Sequence, residues 1–138
     1  MSDITTVILA AGNSTRFKAS KSKLVYPLCG LPIVSHIFKI AKKISGKNIL
    51  IVSNEKNKEE LKLILNTSKL VVQKKQKGTA DAIEQVKKYV KSKNILILFG
   101  DTPLVEVKDI RKLVSLSLIH ISEPTRQAEI SYAVFCLK

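Results

Sequence analysis

Three short stretches of this sequence carry residue types suited to a phosphorylated ligand. The first runs Leu9-Ala10-Ala11-Gly12-Asn13-Ser14-Thr15-Arg16-Phe17 and is followed by Lys23 in the string SKLVYPLCGLP. Small side chains at Ala10, Ala11 and Gly12 let a backbone approach a ligand closely, and successive N–H groups in such a turn make an anion-binding concavity. Arg16 and Lys23 supply positive charge against a triphosphate. Standing alone, the stretch also reads as an ordinary strand-to-helix turn, because neither G-x-G-x-x-G nor a Walker motif is present. The second stretch, Gln73-Lys74-Lys75-Gln76-Lys77-Gly78-Thr79-Ala80-Asp81-Ala82, joins a side chain able to pair with a base edge (Gln73) to a glycine and a helix start at Gly78 and Thr79. Its plain alternative is a helix start beside a solvated lysine run. The third, Leu98-Phe99-Gly100-Asp101-Thr102-Pro103-Leu104, ends an apolar run on a carboxylate, which suits a magnesium ion held against phosphate oxygens. An Asp capping a turn before Pro103 is the structural alternative.

The remaining reactive types point elsewhere. Cys29 has no neighbouring base, so nucleophilic catalysis is not expected of it, and His36 beside Ile37 reads as a structural or surface residue. Only Cys29 and Cys136 are present, with no Cys or His at metal-ligand spacing, which excludes a zinc site and a disulfide framework and fits a reducing compartment.

The elements that must position these residues follow from patterning. Ile4 to Ala10, Asn48 to Val52, Lys69 to Gln73 and Asn94 to Phe99 read as buried strands. Between them, Leu31 to Ile44 carries apolar residues at Ile33, Val34, Ile37, Ile40, Ala41 and Ile44, a helical spacing. Lys56 to Leu65 and a segment opened by Gly78-Thr79 with Ala82, Ile83, Val86 and Val90 are further helices, and another begins near Val107. Strands alternating with helices predict an α/β fold with a parallel sheet. In such sheets ligands sit beyond the carboxyl ends of the strands, which is where all three stretches fall.

With 138 residues and 45% apolar content, one core and one domain are the expectation. The longest apolar runs, Ile49 to Val52 and Ile95 to Phe99, are far short of the ~20 residues a membrane span needs, and no targeting segment opens the chain; a cytoplasmic protein with no membrane partner is expected. The net charge of +13 comes from lysines scattered over predicted helix faces, and aromatic content is only 5%, so a solvated surface is favoured over a nucleic-acid interface.

Taken in order, LAAGxxTRF with K-L-V-x-P-L-x-G-x-P, then Q-x-x-Q-x-G-T-x-x-A, then G-D-x-P-L, the three stretches resemble the signature of the sugar-1-phosphate nucleotidyltransferases. The pattern is most similar to the N-terminal uridyltransferase domain of the bacterial bifunctional enzymes that also carry a left-handed β-helix acetyltransferase. The resemblance implies a Rossmann-like nucleotide-diphospho-sugar transferase fold, here incomplete, and transfer of UMP from UTP to N-acetylglucosamine-1-phosphate. It assigns Arg16 and Lys23 to catalysis. It assigns Leu9, Ala10, Ala11, Gly12, Lys23, Gln73, Gly78, Thr79, Phe99, Gly100 and Asp101 to substrate binding, with Gln73, Gly78 and Thr79 on the uracil and Asp101 on Mg²⁺. Ser14 replaces the family's second glycine, Ser22 replaces the proline before the lysine, and Phe99 lacks the usual tyrosine hydroxyl. The second departure makes Lys21 a competitor for the role of Lys23. A cytidylyltransferase of the isoprenoid or molybdenum-cofactor type shares the opening loop and a similar carboxylate, and a non-catalytic nucleotide- or RNA-binding module is the reading from another class. Full-length bifunctional relatives imply a homotrimer assembled through the acetyltransferase domain.

From Leu116 the sequence changes character. LSLIHISEPTR and ISYAVFCLK resemble the two ends of a translated sequencing-library adapter, with Gln127, Ala128 and Glu129 standing where an index would be read. The expectation is therefore a nucleotidyltransferase segment over 1–115 and a non-native tail over 116–138, with the family's sugar pocket and second metal ligand lying outside this chain and turnover absent. The structural alternative is a terminal strand from Ile130 to Leu137.

Overall fold

The structure, a computed structural model, describes residues 3–13, 21–67, 69–75, 77–119 and 132–136, with 117–119 and 132–136 described through their backbone. The chain opens with β1 (Ile4–Leu9), a 3₁₀ turn (Lys23–Val25) and a two-residue hairpin of β2 (Pro27–Leu28) and β3 (Leu31–Pro32). It continues through α1 (Ile33–Ser45), β4 (Ile49–Ser53), α2 (Lys58–Leu65), β5 (Leu70–Val72), α3 (Thr79–Lys87), β6 (Asn94–Phe99), α4 (Val107–Ile119) and β7 (Tyr132–Cys136). The main sheet has the order β5-β4-β1-β6-β7, with the first four strands parallel and β7 antiparallel on β6. This is the Rossmann-like, mainly parallel α/β architecture.

Strand alternation sorts the side chains into two cores. Ile4, Ile8 and Ala10 of β1 and its continuation pack with Ile51, Leu96 and Leu98 under α1, α2 and α4, through Val34, Ile37, Leu61, Ile110 and Val114. Val7 and Ala11 point the other way, with Val52, Ile95 and Ile97, against Ala82 and Val86 of α3. Each fully buried aliphatic side chain contributes about 1.5–3 kcal/mol relative to exposure, which is why β1, apolar on both faces, can only be a central strand. The two threonines of β1 are satisfied within it: the Thr6 hydroxyl meets that of Ser45, and Thr5 accepts from the Ser92 hydroxyl at 2.7 Å.

From β1 the chain steps outward through β4 to β5, and α3 then carries it back past β1 to β6. The strand order reverses between β1 and β6, the position at which open α/β sheets bind their ligands. The register pairs Leu9 with Phe99, so Ala10 to Gly12 and Gly100-Asp101 leave the sheet side by side.

Three boundaries differ from expectation. The helix expected over Leu31 to Ile44 starts at Ile33, because Leu31–Pro32 instead pairs with Pro27–Leu28 around Cys29 and Gly30, both at positive φ. The α3 helix ends at Lys87, yet Val90 still packs on the α3-side core. The α4 helix runs on to Ile119, although the sequence from Leu116 carries no period that continues it, since adding residues to a formed helix costs little once its first turn exists. The backbone of Tyr132–Cys136 takes the edge beside β6, within the span named as a terminal strand in the alternative to a non-native tail.

Candidate active site

The loop after β1 is built by continuing the sheet. Ala10 N–H donates to the Val52 carbonyl at 2.8 Å, so the strand-like course extends past Leu9. The next carbonyls are then taken by two buried asparagines. Asn57 donates from its side-chain amide to Ala10 O at 2.8 Å, and Asn54 donates to Ala11 O at 3.1 Å. The pair also braces itself. Asn54 Oδ1 accepts from the backbone N–H of Lys56 and of Asn57, and Asn57 Oδ1 accepts from that of Asn54. Across a planar trans peptide the carbonyl and the following N–H point in opposite directions. With Ala11 O turned onto Asn54, the Gly12 N–H faces away from the asparagines, and a side chain at Gly12 would meet nothing within 4 Å among the described residues. Neither asparagine was singled out by sequence reasoning. Their signal was available: two asparagines three positions apart immediately beyond a buried strand, at the ligand edge of the sheet, in the pattern that makes an Asx turn and a helix N-cap.

The second group lies beside the end of β6. Ser22 accepts from Leu24 N–H at 3.4 Å and starts the 3₁₀ turn, and the buried Leu24 side chain anchors it in the core beneath α1. Lys23 then donates from Nζ to Asp101 Oδ2 at 2.6 Å, with both side chains about 40% exposed, at 43% and 40%. An ion pair that open is worth no more than about 1 kcal/mol, so its importance is positional: it ties the turn after the β1 loop to the end of β6. Lys21 is exposed and makes no hydrogen bond or ion pair with any described residue. Gly100 fits tightly between these parts. Its N–H donates to Leu9 O at 2.9 Å, and a Cβ there would lie 3.1 Å from the same oxygen. Phe99 ends β6 with its carbonyl accepting from the Thr102 hydroxyl at 2.9 Å, which closes the turn holding Asp101.

The third group sits beyond β5. Gln73 N–H donates to Ser53 O at 2.8 Å, and the buried side chain reaches across the loop, donating from Nε2 to Gly78 O at 3.3 Å and to Asp81 Oδ2 at 2.7 Å. Gly78 caps α3 at φ 97°, ψ −177°, a conformation almost confined to glycine, and Thr79 is the first helical residue. Asp81 was not expected to take part, although its position in the first turn of a helix beside a proposed base-reading glutamine was visible.

Of the expected site residues, the structure brings Leu9, Ala10, Ala11, Gly12, Lys23, Phe99, Gly100 and Asp101 together at the carboxyl ends of β1 and β6, and Gln73, Gly78 and Thr79 to that of β5, beyond β4. Arg16, Ser14 and Gln76 lie outside the described residues. His36 donates to Leu28 O at 2.7 Å and holds the small hairpin, the structural role expected of it, and Cys29 is exposed in that hairpin's turn. Among the described residues no three His, Cys, Asp or Glu converge. A cation at Asp101 would be held by that carboxylate together with ligand oxygens, a donor set that Mg²⁺ accepts with nucleotide phosphates. No helix among the described residues is long and apolar enough to cross a membrane.

Comparisons with known proteins agree with this fold. The chain is 42% identical over 113 residues to the bifunctional protein GlmU of Buchnera aphidicola subsp. Schizaphis graminum, covering 80% of this chain and 24% of the relative. It is 38% identical over 135 residues to the bifunctional protein GlmU of Campylobacter fetus, covering 90% of this chain and 31% of that protein. The chain thus spans about a quarter to a third of the length of these curated relatives. Among solved structures, a putative glucose-1-phosphate thymidylyltransferase from Bacillus anthracis superposes with a TM-score of 0.74 at 21% identity, covering 84% of this chain and 50% of that one. A CMP:2-keto-3-deoxy-manno-octonic acid synthetase complexed with CTP does so with a TM-score of 0.73 at 18% identity, over 89% and 50% of the two chains. Residues 6–133 match the MobA-like NTP transferase domain, and with that match over nearly its whole length the chain belongs to the MobA-like NTP transferase family.

Proposed function

We propose that this chain supplies the nucleotide-binding part of a uridyltransferase, in which the phosphate of N-acetylglucosamine-1-phosphate attacks the α-phosphorus of UTP and pyrophosphate leaves. The observation that carries the reading is the layout along the carboxyl edge of the sheet. The Gln73–Gly78 group stands at β5, the asparagine-held loop at β1 and the Lys23–Asp101 pair beside β6. At ~4.8 Å per strand, β5 is roughly 10 Å from β1 and 15 Å from β6, a span that matches a nucleoside triphosphate laid with its base at one end and its phosphates at the other. Similarity to the two GlmU proteins supports uridine and the amino-sugar phosphate as the reactants.

Such a transfer asks little covalent chemistry of the protein. The backbone N–H of Gly12, turned outward by Asn54, would bind a phosphate oxygen, and the Lys23 ammonium, held in place by Asp101, would offset negative charge as the leaving group forms. Arg16 is the second cation proposed for that task. Asp101 would hold Mg²⁺, which when bound neutralises phosphate charge and orients the oxygens for in-line displacement. A cytoplasmic setting goes with these reactants.

The test is a chimera in which residues 1–115 replace the corresponding stretch of the Campylobacter fetus relative. Pyrophosphate release from UTP with N-acetylglucosamine-1-phosphate is the expected result. Turnover with CTP in place of UTP would move the chain to the cytidylyltransferases. Binding that ignores the base and falls steeply with salt, without turnover, would leave a non-catalytic module.

A further inference from the structure

We infer that Asp81 is a specificity-determining residue that acts through Gln73: it fixes the Gln73 side-chain amide so that only its carbonyl oxygen is left to read a pyrimidine base. The inference rests on the nucleotide-binding reading of the site and adds to it a residue that reading does not include.

The argument starts from the inventory of an amide, which has two N–H donors on Nε2 and one carbonyl acceptor. Gln73 is 5% exposed, its backbone is tied to Ser53, and its Nε2 sits between Gly78 O at 3.3 Å and Asp81 Oδ2 at 2.7 Å. Both of these partners are acceptors. Turning the amide over would set Oε1 against two oxygens in a buried place, so the orientation follows from chemistry and not from the near-identity of N and O in shape. Asp81 is itself immobilised. Its Oδ2 also accepts from Gln85 Nε2 one turn along α3 at 2.9 Å, and its place in the first turn of that helix favours a negative charge. The strained glycine conformation at Gly78 aims the other acceptor.

With both donors engaged, the Gln73 side chain can only accept from a ligand. Uracil offers a ring N3–H donor, whereas cytosine presents a bare acceptor at the same atom. A buried acceptor opposite N3 therefore favours uracil, because cytosine would leave two acceptors facing each other. Asp81 thus decides between bases without touching either.

The experiment uses the 138-residue chain with UTP and CTP as probes and has two independent arms. In the first, the affinities for both nucleotides are measured for the wild type, Asp81→Asn and Asp81→Leu. Asparagine can donate as well as accept, which frees the Gln73 amide to turn. A wild-type preference for UTP of roughly tenfold should shrink to about threefold or less in Asp81→Asn, through weaker UTP and unchanged or stronger CTP binding. An equal loss for both nucleotides would show a merely structural role and overturn the proposal. In the second arm, proton exchange of the Gln73 side-chain NH₂ is followed by NMR without nucleotide. Slow exchange in the wild type that becomes fast in Asp81→Leu supports the hold, and identical exchange in the two overturns it. A wild type that binds neither nucleotide, or prefers CTP, would sink the uridyltransferase reading, while the NMR arm still decides whether Asp81 holds the amide.

Discussion

Asn57 and Ala10 are 47 positions apart, and the side-chain amide of the first donates to the backbone oxygen of the second at 2.8 Å. With Asn54 on Ala11 in the same manner, the start of α2 grips the loop after β1 from behind. The loop's shape is thus dictated by a neighbouring strand end and not only by its own small residues.

Replacing Asn57 by Ala removes the partner of a buried carbonyl and should cost about 1–3 kcal/mol of stability, read from denaturant unfolding. Asn57→Asp keeps the shape but cannot donate, so it should be no better than Ala. Recovery of wild-type stability by the aspartate would show that packing, and not the donated hydrogen bond, holds the loop.

Asp101→Asn should leave stability within about 0.5 kcal/mol, since the pair it breaks is exposed. In the chimera carrying residues 1–115, the same change should lower turnover by about two orders of magnitude or more, because a neutral amide is a poor Mg²⁺ ligand. Titrating Mg²⁺ separates the possibilities: an unchanged requirement for the ion would remove Asp101 from the metal site.

Lys23→Ala should impair turnover in that chimera far more than Lys21→Ala. Only Lys23 reaches Asp101, and it does so because Leu24 is buried behind it. The reverse ranking would mean that the ion pair is a resting contact of no consequence to the reaction.

Much of this was legible in the sequence, for identifiable reasons. The strands are short runs of β-branched and aliphatic residues that only a doubly covered sheet can hide, so Ile4–Leu9 and Asn94–Phe99 announce themselves, and the ligand edge follows from strand and helix alternation. The hairpin at Pro27–Pro32 did not, because two-residue strands carry no period and Leu31 extends the apolar pattern of α1. The Asn54–Asn57 brace and the Gln73–Asp81 contact were missed for a different reason. Each is a hydrogen bond, or a set of them, whose meaning depends on which strand or loop lies alongside, and residue type alone does not set these two asparagines or Asp81 apart from ordinary polar groups.

Three glycines should respond to alanine in three different ways, and the contrast tests the layout of the site. At Gly78 the backbone stands at φ 97°, so Ala should cost about 1–3 kcal/mol through strain alone, although its methyl would meet nothing within 4 Å. At Gly100 the conformation is tolerant but the added Cβ would lie 3.1 Å from Leu9 O, against backbone that can yield only by shifting β1 from β6; about 1–3 kcal/mol is again expected, now from overpacking. Gly12 has neither problem, so Gly12→Ala should unfold like the wild type. Its methyl would instead bar a ligand from approaching the backbone as closely as the phosphate assigned to the Gly12 N–H requires. UTP affinity should then fall by about tenfold or more with stability intact, whereas the other two variants lose stability first. Undiminished UTP binding by Gly12→Ala would place the phosphates elsewhere along the edge of the sheet.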